Sequence, residues 1–184
     1  TRFFDTGPTT SGATARASAS SPAESGVPGA RWVAPESLHL TLRFIGEIDG
    51  AQARDADAEL AHISAPAFDV ALAGVDCFGS GDKSRSLWVG VAKCAEMIRL
   101  QAKVENALQR AGLPPEGRKF KPHVTLARFK SNPGPKLHDF LAGNALFRSE
   151  PFPVREFGLF SSFLSHSGAI YRREAAYPLV PPNG

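Results

Sequence analysis

The chain has 184 residues, of which 42% are hydrophobic and 21% are charged, a composition that is ordinary for a globular protein and excludes disorder as the default. Its formal net charge of +3 is a mild basic bias, which allows a polyanionic substrate without requiring one. The sequence has no apolar run as long as a membrane span and too few cysteines for a disulfide framework, so we expect a cytoplasmic protein with no membrane partner.

The N-terminal part combines predicted strands with an unusual polar segment. Residues 2–4 predict an opening strand, whereas residues 5–29 are rich in Thr, Ser, Ala, Gly and Pro and have no apolar stripe. We expect that segment to be poorly ordered. Residues 31–34 predict a strand that ends at Pro35, and residues 38–45 predict the next strand.

The rest of the chain alternates predicted helices and strands. Apolar residues at helical spacing predict three helices, over residues 49–63, 95–111 and 137–146. Apolar alternation predicts five strands, over residues 68–78, 86–92, 122–130, 152–164 and 169–178. Several connections are too short for parallel crossovers, so we expect an α+β fold of two antiparallel sheets, each covered by outer helices, around a central groove.

One short pattern occurs twice, as His-Leu-Thr-Leu beginning at His39 and as His-Val-Thr-Leu beginning at His123. The copies lie 84 residues apart, nearly half of the chain, which is typical of a duplicated lobe. Alternate side chains of a strand share a face, so His39 is expected to face the same side as Thr41, and His123 the same side as Thr125. If each lobe contributes one such strand to a common groove, two imidazoles and two hydroxyls face one another.

Two histidines and two threonines are suited to acid/base chemistry at a phosphate. Imidazoles titrate near neutral pH, so one ring can accept a proton from an attacking oxygen while another donates a proton to a leaving oxygen. Threonine hydroxyls can donate hydrogen bonds to phosphate oxygens as negative charge develops there. A lone histidine in an apolar strand is more often structural, but the repetition in the same strand phase favours the catalytic interpretation.

Other catalytic arrangements fit the sequence less well. A metal site would need a third ligand, and apolar residues occupy the positions beside both motifs, so we expect no metal and no cofactor. The sequence has no Gly-x-Ser-x-Gly stretch for a serine nucleophile, and the run from Gly79 to Ser84 lacks the ending of a phosphate-binding loop. His62, His138 and His166 lie in predicted helices or a turn and are interpreted as structural or solvated residues.

The two motifs and the residues around them resemble the 2H phosphoesterase superfamily, and within it the RNA 2′,3′-cyclic phosphodiesterase branch, also called LigT or 2′-5′ RNA ligase. The similarity lies in residues 30–33, 35–46 and 120–128. It implies a bilobal fold with pseudo-twofold symmetry, in which residues 1–184 form a single domain of two interlaced lobes. Residues 5–29 are atypical, because family members have an amphipathic helix after the opening strand.

The resemblance also implies an activity, the metal-independent hydrolysis of an RNA 2′,3′-cyclic phosphate end to a 2′-phosphomonoester. Carried over by position, His39 would donate a proton to the leaving 3′ oxygen and His123 would activate water. Thr41 and Thr125 would hold the phosphate oxygens. The expected partner is an RNA with a 2′,3′-cyclic phosphate end or a cyclic nucleotide, bound by a monomer.

The fifth residue after each histidine is a candidate substrate contact. It is Phe44 in the first copy and Arg128 in the second, where family members often carry arginine. Strict strand alternation would turn Arg128 away from the face of His123, so this assignment requires a bulge or the end of the strand to redirect it. Phe44 fits a substrate contact and a core position equally well.

Two alternative functions stay open at this point. The same histidines could form 2′-5′ RNA linkages, because microscopic reversibility makes ligation available at the site that performs cleavage. A catalytically silent RNA-binding module would instead show salt-dependent binding without any product.

Overall fold

The structure of the protein is a computed structural model that describes residues 2–5, 26–79, 81–165 and 168–181. The strands within these residues are β1 (Arg2–Asp5), β2 (Ala30–Trp32), β3 (Thr41–Gly46), β4 (Phe68–Val70), β5 (Leu72–Phe78), β6 (Ser86–Val91), β7 (His123–Phe129), β8 (Phe152–Val154), β9 (Glu156–Ser165) and β10 (Gly168–Pro178). The helices are α1 (Gly50–Ala61), α2 (Ala95–Arg110) and α3 (Lys136–Asn144), and short 3-10 turns cover Pro35–Ser37 and Gly81–Lys83.

Two four-stranded antiparallel sheets form the framework. The first has the order β10-β9-β1-β3 and the second the order β2-β7-β6-β5. A small two-stranded sheet, β4 with β8, lies beside them. The predicted α+β fold with two antiparallel sheets is therefore confirmed, and the small sheet is an addition to it.

Two of the predicted strands are interrupted, and those predictions were wrong in length. The strand expected over residues 68–78 is two strands, β4 and β5, which belong to different sheets. The strand expected over residues 152–164 is likewise β8 followed by β9. The chain changes sheet at Ala71 and at Arg155, because an alternating pattern fixes the face of each residue but not its partner strand.

The N-terminal predictions are only partly testable against the structure. The opening strand is present as β1, which lies between β9 and β3 in the first sheet. Of the polar segment expected to be poorly ordered, residues 6–25 lie outside the described part of the chain. Its last residues form a turn before β2, where Val27 is buried against the second sheet.

The outer face of each large sheet is covered by helices, as expected. The first sheet packs on α1 and α2 through a large apolar cluster that includes Leu60, Val104 and Phe157. The second sheet packs on α3 through a smaller cluster that includes Leu87 and Leu137. Burial of apolar side chains stabilises both sheets at about 25 cal/mol for each Å² removed from water.

A buried arginine connects β3 to α2. Arg43 is 8% exposed, and its Nε atom lies 2.6 Å from Glu105 Oε2. Its guanidinium also donates to the Pro114 carbonyl oxygen at 2.6 Å and lies 3.3 Å from Glu116 Oε2. A buried charge requires partners of this kind because the interior does not solvate it. The arrangement holds the strand of the first motif against the helix behind it.

None of the helices in the described ranges is both long and apolar enough to cross a membrane. The longest of these helices, α2, has 16 residues, and charged residues lie between its buried apolar ones.

Candidate active site

The two large sheets meet at the middle residues of the two motifs. Leu40 and Val124 form an isolated antiparallel bridge between the chain entering β3 and strand β7. Leu40 is 4% exposed, and Val124 packs against the same apolar cluster. Because both side chains point into the core, the residues next to them along the chain must point to the opposite face.

This bridge brings the four motif side chains to one surface. In an antiparallel ladder the residues flanking a bridge lie opposite each other, so His39 is opposite Thr125 and Thr41 is opposite His123. The two histidines are then diagonal neighbours, a relationship that separates side-chain positions by about 7–8 Å. All four side chains are partly buried. The site therefore lies at the junction of the sheets, although β3 itself begins only at Thr41.

Both histidine rings are oriented by the same backbone contact. His39 Nδ1 lies 2.8 Å from the Ser37 carbonyl oxygen, and His123 Nδ1 lies 2.7 Å from the Lys121 carbonyl oxygen. A carbonyl oxygen can only accept a hydrogen bond, so Nδ1 is the protonated nitrogen in each ring. When either ring is neutral, its lone pair is on Nε2. The two copies therefore have the same tautomer and the same anchoring, two residues upstream.

A bulge in β7 redirects Arg128 toward the motif face. Strand β7 has one residue more than β6 between the pair Thr125 with Trp88 and the pair Ala127 with Leu87. Because paired residues share a face, Thr125 and Ala127 point to opposite sides of the sheet. Ala127 is fully buried, and Arg128 returns to the face of Thr125, where it is exposed. The bulge that the sequence argument required is present.

The first motif contains an equivalent irregularity. Phe3 pairs with Phe44 and Asp5 pairs with Thr41, so β3 has one residue more than β1 in this interval. The extra residue shifts the alternation of β3 by one position, so Thr41 and Phe44 share a face. Phe44 is 36% exposed, so it is not a core residue. In both copies the fifth residue after the histidine reaches the surface that carries the motif.

The surroundings of His39 favour its neutral form. The ring is largely buried and contacts Tyr171 edge to face, with 4.6 Å between ring centroids. Burial lowers the pKa of His39 below its ordinary value of 6.5, while the Ser37 hydrogen bond opposes this and the charges of Arg128 and His123 add to it.

His123 lies against a different wall, which consists of two aromatic rings and a lysine. Its ring centroid is 4.9 Å from that of Phe78 and 5.8 Å from that of Trp88. Lys121 Nζ lies 4.1 Å from the Trp88 centroid, a cation–π contact. Lys121 thus contacts this wall with its side chain and the His123 ring with its carbonyl oxygen.

Of the histidines outside the motifs, the two in the described part of the chain do not join this site. His62 ends α1 and His138 lies in α3, both exposed, whereas His166 lies outside the described residues. Within the described parts of the chain, no three His, Cys, Asp or Glu side chains group in a way that could hold a metal ion.

Comparison with known proteins identifies the family. The sequence model of the 2′-5′ RNA ligase superfamily matches residues 15–162, which is most of the chain. The chain belongs to the 2′-5′ RNA ligase superfamily.

Curated members of the 2′-5′ RNA ligase superfamily resemble the chain over most of their length. It is 37% identical to the RNA 2′,3′-cyclic phosphodiesterase of Aeropyrum pernix over 152 residues, which are 82% of this chain and 86% of the relative. It is 32% identical to the protein of the same name from Archaeoglobus fulgidus over 151 residues, covering 80% and 83%. The crystal structure of Escherichia coli LigT complexed with 3′-AMP has the same fold, with a TM-score of 0.71, 21% identity and 97% coverage of both chains.

Sequence reasoning missed the residues that surround the two rings in this member of the superfamily. Tyr171 lies in β10, Phe78 in β5 and Trp88 in β6, all distant in sequence from the motif that they contact. The cross-strand pairing of Trp88 with Thr125 brings it to the motif face. The alternation of side chains along β6 could indicate which residues share a face with Trp88. Placing Trp88 beside the second motif also required the pairing of β6 with β7.

Proposed function

We propose that this protein is a metal-independent RNA 2′,3′-cyclic phosphodiesterase that hydrolyses cyclic phosphate ends to 2′-phosphomonoesters. The observation that carries the proposal is the Leu40–Val124 bridge, because its register turns both His-x-Thr motifs to one face. The names of the Aeropyrum and Archaeoglobus relatives support the choice of substrate.

In this reaction the two histidines act on opposite sides of one phosphorus atom. His123 accepts a proton on Nε2 from the attacking water, whose oxygen forms the new bond to phosphorus. The bond between phosphorus and the 3′ oxygen breaks, and protonated His39 donates its Nε2 proton to that oxygen. The diagonal placement of the rings suits this reaction, because attacking and leaving oxygens are roughly in line across the phosphorus.

The remaining motif residues would bind the substrate, and the two threonines would hold its cyclic phosphate. The hydroxyls of Thr41 and Thr125 donate hydrogen bonds to the two non-bridging oxygens, where charge grows in the transition state. Arg128 adds a positive charge at the same face, and its guanidinium suits phosphate oxygens. Phe44, exposed at the equivalent position of the first copy, provides an apolar contact for the sugar or base.

The lowered pKa of His39 is compatible with its role as the proton donor once substrate binds. Burial and nearby positive charge by themselves favour the neutral ring. A bound cyclic phosphate brings a negative charge beside the imidazole. A nearby negative charge raises the pKa of a histidine because it stabilises the protonated ring. Substrate binding would therefore favour the protonated form that leaving-group protonation needs.

Product analysis with adenosine 2′,3′-cyclic phosphate tests this function directly. We expect adenosine 2′-phosphate, resolved from the 3′ isomer by chromatography, and an unchanged rate in EDTA because only protein side chains transfer protons. Formation of the 3′ isomer instead would mean that the 3′ oxygen is not the leaving group, and it would contradict the proposed reaction. A loss of turnover in EDTA that added divalent cations restore would contradict the metal-independent mechanism.

A further inference from the structure

Two arginines face each other at the outer end of the motif face. Arg31 in β2 is directly opposite Arg128 in β7, and both side chains are exposed. The neighbouring pair, Trp32 with Ala127, points into the apolar cluster beneath α3. This buried pair fixes the register of β2, so Arg31 must project to the same side as Arg128 and the motif residues.

The pair has no acidic partner in the described residues. None of the ion pairs or side-chain hydrogen bonds found there involves Arg31 or Arg128, whereas the buried Arg43 is paired with two glutamates. Like charges directly opposite each other on a sheet are destabilising. Two adjacent guanidinium groups that none of the described carboxylates neutralises are an arrangement that a bound anion would stabilise.

The pairing of both segments with β7 gives the position of the two arginines relative to the proposed reaction centre. Residues 30–33 and Leu40 both lie along the same edge of β7, the first opposite its C-terminal half and the second opposite Val124. From Val124 to Arg128 the strand rises by about 10–13 Å, allowing for the bulge. Arg31 and Arg128 therefore lie at the same level of β7, beyond the two histidine motifs, and the charge of Arg128 still influences His39.

We propose that Arg31 and Arg128 together bind a phosphodiester upstream of the cyclic phosphate, so that the preferred substrate is an oligonucleotide end. This inference rests on the proposed function. A cyclic mononucleotide with a free 5′ hydroxyl has no second phosphate to place between the two guanidinium groups. Each added nucleotide on the 5′ side supplies one, and guanidinium forks bind phosphate oxygens in a bidentate manner.

Kinetics on substrates of increasing length test the proposal. The substrates are adenosine 2′,3′-cyclic phosphate with a 5′ hydroxyl, and the di- and trinucleotides of adenosine that end in the same cyclic phosphate. We expect Arg31→Ala to lower the preference for the oligonucleotides, measured as the ratio of kcat/KM values to that of the mononucleotide, by about 10-fold. We also expect it to reduce the dependence of oligonucleotide binding on salt by about one released counterion.

Arg54→Ala is the matched control, because Arg54 is an exposed arginine on α1, on the outer side of the first sheet. We expect this variant to keep the wild-type preference. An Arg31→Ala variant that keeps it too, or that lowers kcat/KM equally for all three substrates, would overturn the proposal.

A binding measurement separates failure of this inference from failure of the proposed function. If the wild-type protein hydrolyses none of the three substrates, the proposed function fails. Titration with a fluorescent trinucleotide carrying a 3′-phosphate then tests the arginine pair independently. About 10-fold weaker binding by Arg31→Ala than by Arg54→Ala supports the pair as a phosphate site, and equal binding overturns it.

Discussion

The two copies of the motif share their backbone geometry, but their histidine rings contact different side chains. Each histidine donates Nδ1–H to the carbonyl two residues upstream, and each copy has a bulge before the fifth residue. His39, however, is largely buried beside Tyr171, whereas His123 lies at a wall of Phe78 and Trp88. The comparison teaches that symmetry places the two histidine rings, and that asymmetric surroundings can give two identical side chains different properties.

The fourth residue after each histidine is likewise buried in both copies but has different surroundings in each. In the first copy it is Arg43, which is buried among two glutamates and a backbone carbonyl. In the second copy it is Ala127, which is fully buried among apolar side chains. Both positions anchor the motif strand to the helical layer behind it, one through charge and the other through close packing.

The largest expected effect tests whether both copies are needed. His39→Ala and His123→Ala should each lower kcat for cyclic phosphate hydrolysis by about 10³-fold, because each removes one proton transfer that the other ring cannot supply. Steady-state kinetics with circular dichroism as a folding check measure this, and His138→Ala serves as the exposed-histidine control. Near-wild-type activity in either folded variant would mean that the two copies do not work as a pair.

The second prediction concerns the buried arginine that distinguishes the copies. Arg43→Met should lower the free energy of unfolding by about 3 kcal/mol, because it leaves Glu105 and Glu116 without their buried counterion. Urea denaturation measures the loss. The double variant Arg43→Met/Glu105→Met should recover part of it, and additive losses instead would show that the ion pair is not the source of the effect.

A smaller effect is expected at the two hydroxyls. Thr41→Val and Thr125→Val keep the side-chain shape but remove one donor to the phosphate, which should lower kcat by about 100-fold in each case. Equal losses of kcat would mean that the two copies contribute equally to phosphate binding, as well as sharing their backbone geometry. If only one variant is impaired, the phosphate is bound from one side, and the comparison of the two copies must be revised accordingly.

The smallest predicted effect is a change in the titration of His39. NMR titration of the substrate-free protein should give a midpoint below the ordinary value of 6.5, because burial and positive charge favour the neutral ring. Arg128→Gln should move the midpoint upward, whereas Arg54→Gln should not. An unchanged midpoint in Arg128→Gln would show that this arginine does not influence the ring.

The same shift has a defined effect on stability. The pKa of His39 is lower in the folded protein than in the unfolded chain, so the unfolded chain takes up the proton first as pH falls through 6.5. His39 therefore makes the folded state less stable on the acidic side of this value. A His39→Gln variant should show a weaker loss of stability there, measured by urea denaturation at several pH values.

The amino-acid sequence alone predicted the fold class, the type of nearly every element and which residues of the two motifs share a face. Local patterns are sufficient for this, because a repeated His-x-Thr in apolar strands fixes which side chains share a face, and helical spacing fixes which residues are buried. The capping box of α1, in which the Asp49 side chain accepts from the Gln52 N–H at 2.8 Å, is a local signal of the same kind.

Tertiary structure decided which strands pair and therefore what lies near the histidines. The breaks at Ala71 and Arg155, the bulge that redirects Arg128, and the contacts of Tyr171 and Trp88 all depend on pairing between segments distant in sequence. A strand's alternation constrains its own two faces only, and its register with a partner is set when the buried faces of both pack into one core.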